Sequence, residues 1–155
     1  MNSTYSIEVE RPRADVFDFL TDDDNLPAVV PNLADHGVIE EQPGKIGSTF
    51  WHEYEEKGRR MRMTGVVTEY EAPRRWAVKL DGPFFGLEVA YTLEQLGPGT
   101  TRITQDSSAR FKHVFKLLGL LLGGKMKADG ERVQAENFAH MKALLEGERS
   151  ETGTA

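Results

Sequence analysis

The most constraining feature of this chain is a long run of alternation followed by a helical stripe. From residue 36 to residue 109 the sequence reads as a succession of strands, several of them alternating apolar with polar residues, cut at intervals by Gly, Pro and Asp clusters. Alternation with a period of two is the mark of half-buried strands, because successive side chains in a strand point to opposite faces. The cuts fall at Gln42-Pro43-Gly44, Lys57-Gly58, Ala72-Pro73, Asp81-Gly82-Pro83 and Gly97-Pro98-Gly99. Such short connections join antiparallel neighbours, so the chain predicts a meander of hairpins.

Expected strands cover residues 36–41, 48–56, 60–70, 75–80, 87–93 and 101–109. A further strand at 4–10 sets Tyr5, Ile7 and Val9 against Ser6, Glu8 and Glu10. Pro12 is placed to open a short helix, since its missing N–H is no loss in a first turn. A second short helix or turn is expected between residues 22 and 30. In the C-terminal third, Val114, Leu117, Leu118, Leu121 and Leu122, and then Gln134, Asn137, Phe138, Met141 and Leu145, fall at helical spacing. Gly123-Gly124 lies between the two stripes and predicts a break or bend. The fold class is therefore α+β: about seven antiparallel strands covered by one long helix, because no other element is left to cover the apolar sheet face. Residues 1–147 read as one domain and residues 148–155 as a disordered tail.

Composition removes several functions. A net charge of −6 with no Lys/Arg stripe argues against nucleic acid as a partner. Arg60 and Arg62 would share a solvated strand face. The absence of cysteine excludes disulfides, thiolate metal sites and a cysteine nucleophile, and it suits a cytoplasmic protein. The N-terminus lacks the pattern of a signal peptide, and the most apolar window, residues 115–124, is too short to span a membrane. No metal-ligand spacing links His36, His52, His113 and His140, and no P-loop, dinucleotide fingerprint or GxSxG elbow is present, so neither metal nor cofactor is expected. Asp22, Asp23 and Asp24 read as a helix-capping turn.

Several segments together carry a resemblance: residues 7–12 (IEVERP) with 16–22 (VFDFLTD), 44–47 (GKIG), 65–76 (GVVTEYEAPRRW), and 91–93 (YTL) leading to 99–102 (GTTR). In this order and spacing the chain resembles the polyketide cyclase/dehydrase-like branch of the START/Bet v 1 (SRPBCC) superfamily. The resemblance implies a helix-grip fold, a curved sheet wrapped around the long C-terminal helix with two short helices after the first strand. It also implies a cavity for a small hydrophobic or amphipathic ligand, lipid-like or polyketide-like. The alternatives are an enzyme of the cyclase/dehydratase type acting in the same cavity, or a protein-interaction module. No catalytic constellation is recognisable in the sequence.

The strand face that carries Phe50, His52 and Tyr54 is the one expected to look inward. The predicted ligand-binding set is His52, Tyr54, Met61, Met63, Trp76, Val89, Tyr91, Gln105, Asn137, Phe138 and Met141. The methionines would supply a deformable wall, and Tyr91, Gln105 and Asn137 the polar atoms that orient a guest. Simple core packing accounts for most apolar members equally well. Residues 111–124, with five leucines on more than one helical face, suggest either a gate or the contact of a homodimer.

Overall fold

The computed structural model describes the backbone of residues 2–112 and 115–153, and the side chains of residues 2–112 and 128–147. Seven strands form one sheet: β1 (Asn2–Val9), β2 (Leu33–Glu40), β3 (Thr49–Glu56), β4 (Arg59–Glu71), β5 (Arg75–Asp81), β6 (Phe85–Gly97) and β7 (Thr100–Phe111). Every pairing is antiparallel, and the spatial order is β1-β7-β6-β5-β4-β3-β2. Strands β2 to β7 thus form the expected meander, and β1 returns to pair with the last strand. Between β1 and β2 lie α1 (Arg13–Thr21), a short 3-10 turn (Asp23–Asn25) and α2 (Leu26–Val29).

Helix α1 is short because its sequence is amphipathic for little more than two turns. It buries Val16, Phe17, Phe19 and Leu20. Pro12 sits one position earlier than expected, at the N-cap, where its carbonyl accepts from the Val16 amide at 3.1 Å. The acidic triplet behaves as a cap: the Asp22 carboxylate accepts from the Asp24 amide at 3.0 Å. Helix α3 spans Phe115–Gly153. It runs through Gly123 and Gly124 without the predicted break, since two glycines weaken a helix without forbidding its hydrogen bonds. The residues expected to form a tail are helical as far as Gly153. The leucine side chains of the expected gate lie outside the described residues.

The sheet contacts of α3 fall on β1 and β7, and it also meets α2. There Phe138, Met141 and Leu145 are fully buried against Val9, Ile103 and Leu93, and the rings of Phe138 and Tyr5 lie 4.8 Å apart. A second, smaller cluster, Met63, Val78 and Leu80, belongs to β4 and β5. On the outer face Glu53 takes ion pairs from Arg60 at 2.9 Å and Arg62 at 3.0 Å, and the Arg62 guanidinium stacks 4.2 Å over Trp51. These arginines therefore occupy the solvated face that strand alternation assigned to them.

Candidate functional site

A cavity of about 670 Å³ lies beneath the sheet, between β2–β7 on one side and α2 with α3 on the other. Its size suits a small organic ligand. Its walls follow from strand alternation: Phe50, His52 and Tyr54 from β3, Trp76, Val78 and Leu80 from β5, Leu87, Val89 and Tyr91 from β6, and Gln105 from β7. The indole of Trp76 stacks on the Tyr91 ring, with centroids 5.4 Å apart and planes 13° from parallel, and so supplies a flat aromatic wall.

Two local irregularities shape this space. The first is a bulge between Val67 and Glu69 in β4, where the register slips by one residue. Both Val67 and Tyr70 consequently line the cavity, although strict alternation would separate them onto opposite faces. The second is Gly65, the cross-strand partner of Phe50. A Cβ there would stand 2.3 Å from the Phe50 ring, so only glycine lets that ring lie flat across the strand.

Beneath the sheet, two hydrogen-bonded groups of polar side chains sit on a mainly apolar surface. On β3, His52 Nδ1 lies 3.0 Å from Tyr54 Oη. Across the cavity the Gln105 amide donates to Tyr91 Oη at 2.6 Å, and the Gln134 amide of α3 donates in turn to Gln105 Oε1. The Tyr91 hydroxyl, accepting from Gln105, keeps its O–H for a second partner.

Burial decides the charge state of this set. Desolvation, helped by repulsion from His36 opposite it on β2, lowers the His52 imidazole to about 4, so it is neutral near pH 7. Burial likewise raises Tyr91 to about 12, opposed by the bond from Gln105. The Tyr54 phenol lies well above its usual range for the same reason, with a smaller push from Tyr91. These buried polar groups of the cavity wall are therefore uncharged donors and acceptors.

Of the expected ligand-binding residues, His52, Tyr54, Trp76, Val89, Tyr91 and Gln105 line the cavity. The others sit elsewhere. Met63 is buried in the β4–β5 cluster, with Met61 packed against it. Phe138 and Met141 are sealed in the main core, on the side of α3 that packs against the sheet. Asn137 ties α3 to α2, its amide donating to the Val29 carbonyl at 2.6 Å. Its polar atom is spent on a helix end rather than offered to a guest. Sequence reasoning did not select Tyr70, Phe85 or Gln134 as lining residues. Only Gln134 left a signal, its place on the helical stripe that ends in Leu145. Among the described residues no cluster of three or more His, Asp or Glu could hold a metal ion, and no helix is long and apolar enough to cross a membrane.

Comparison with known proteins agrees with this architecture. A family model described as polyketide cyclase/dehydrase and lipid transport matches residues 1–146. No curated protein matches the chain in sequence. Among solved structures, a conserved protein from Geobacillus kaustophilus is similar at a TM-score of 0.74 and 17% identity, with 95% of this chain and 96% of that one covered. The Zhui aromatase/cyclase from Streptomyces sp. R1128 aligns at 0.66 and 14%, covering 93% and 97%. A START superfamily protein from Mycobacterium smegmatis aligns at 0.65 and 15%, covering 89% and 97%. At these identities the likeness is one of fold, and the fold is the helix-grip architecture expected from the sequence.

Proposed function

The chain belongs to the polyketide cyclase/dehydrase and lipid transport family, and on that premise we propose that it binds a small hydrophobic or amphipathic molecule inside the sheet. The observation that carries this reading is the cavity itself, about 670 Å³ with apolar walls and two groups of convergent polar atoms. A close-packed interior does not leave such a space unfilled without reason, because each unfilled gap forfeits dispersion contacts. The neutral probe N-phenyl-1-naphthylamine tests it by fluorescence. The parent should bind saturably. Val89→Trp, which fills the middle of the cavity, should weaken binding about tenfold or more while keeping the thermal midpoint within a few degrees. Equal binding by the two proteins would sink the reading.

A second reading, that of an enzyme acting on its guest, is favoured by one specific contact. A neutral His52 held 3.0 Å from the Tyr54 hydroxyl has the charge state a general base requires. Deuterium exchange at the α-carbon of 2-tetralone in heavy water, followed by mass spectrometry, is its measurement. Exchange that the protein accelerates and His52→Gln abolishes supports it, and no acceleration removes it.

A further inference from the structure

We propose that the cavity selects uncharged ligands, with a hydroxyl or carbonyl at the polar end, and rejects carboxylates of the same carbon skeleton. This deepens the binding reading above and rests on it.

The first support is the chemistry of the wall. The Tyr54 and Tyr91 hydroxyls and the Gln105 and Gln134 amides are neutral and bonded to one another or to His52. A hydroxyl or carbonyl guest can enter this arrangement as one more donor or acceptor. An anion would have to leave water for a mainly apolar space in which no buried cation among the described residues compensates it, and isolated buried charges are among the most costly groups to desolvate. Burial has already imposed that rule on His52, which stays uncharged.

A second, independent support is the distribution of formal charge. Among the described cavity-lining residues the carboxylates are Asp23, Glu41, Glu56 and Asp129, all exposed. The only ammonium among them is Lys45, and its Nζ is already engaged by Glu41 at 2.5 Å. Among the described residues, a carboxylate guest therefore meets like charge where the cavity reaches the surface and no unpaired cation in its interior. Opposite charge is the usual device for holding a buried carboxylate, and the described wall does without it.

The experiment compares two molecules that differ only at the polar end, oleyl alcohol and oleate, as displacers of N-phenyl-1-naphthylamine at neutral pH. The alcohol should displace the probe at about tenfold lower concentration or less, the difference that one uncompensated polar group makes in a buried site. Oleate displacing as well as the alcohol, or better, overturns the selectivity and leaves binding intact. A parent protein that never takes up the probe overturns the binding reading itself. Gln134→Lys then places an ammonium on the half-buried helical wall and should narrow the gap by favouring oleate. Val133→Lys on the same wall is the substitute if that variant does not give the parent's circular dichroism. An unchanged gap in a folded lysine variant would show that this wall does not set the preference.

Discussion

Across β1, β7 and β6 the inward residues Val9, Ile103 and Leu93 are sealed beneath Phe138, Met141 and Leu145 of α3. Across β3, β5 and the start of β6 the inward residues are just as apolar, yet Phe50, Leu87 and Val89 look onto open space. Both regions use the same alternation, the same sheet and similar side chains. What separates them is where α3 crosses, since its sheet contacts fall on β1 and β7. One half of the sheet is packed for stability and the other is held open. A single sheet can do both because its hydrogen bonds keep the open half in register even where packing does not.

If that division is real, equal chemical damage should have unequal consequences. Phe138→Ala in the packed half should cost about 3–5 kcal/mol, the range for emptying a buried aromatic site. Leu87→Ala on the cavity wall should cost about 1 kcal/mol or less, because no new cavity is created around a side chain that already faces one. Urea denaturation of both variants makes the comparison, and similar losses would break it.

The next expected effect is electrostatic and belongs to the open half alone. His52 titrates near 4 in the folded protein and near 6.5 when unfolded. Between these values the unfolded chain binds a proton that the folded one refuses. Stability is therefore unaffected by this group above about pH 6.5 and falls as the pH drops towards 4, by about 3 kcal/mol at most. His52→Gln should flatten that part of the curve relative to the parent. Parallel curves for the two proteins between pH 4 and 6.5 would place His52 in a more hydrated setting than the cavity wall provides.

How much of this was legible in the sequence follows from what each feature depends on. The strands and their inward faces were readable because alternation is local and the Gly and Pro turns punctuate it. That is why His52, Tyr54, Trp76, Val89, Tyr91 and Gln105 were found. Met61 and Met63 on β4 have the same inward character, and nothing near them in sequence says what lies opposite; for Phe138 and Met141 on α3, nothing says whether the sheet or empty space faces them. That is decided by the crossing point of a helix separated from β4 in the chain by three strands, β5, β6 and β7. The bulge that brings Tyr70 inward was hidden for another reason. Thr68 is the extra residue in that register slip, and it is a good strand former that leaves no break in the pattern. Asn137 was misassigned because sequence shows a polar residue on an inward stripe and not the unpaired helix carbonyl that claims it.

The return of β1 to the last strand has a consequence for synthesis. Residues 2–9 pair only with β7, from Asn2 opposite Ser108 to Val9 opposite Thr101. Every other strand of the meander finds a partner in the next segment to leave the ribosome. β1 is made before the other strands of the sheet and must wait until more than ninety further residues have been made, about 5–20 s at common elongation rates. Throughout that interval a strand carrying Tyr5, Ile7 and Val9 has its edge unsatisfied, in competition with any other exposed strand nearby. The loop that closes it is also the longest in the sheet, so its entropy must be met before the pairing returns anything. Removing β1 would leave β7 as a bare edge on an otherwise finished sheet.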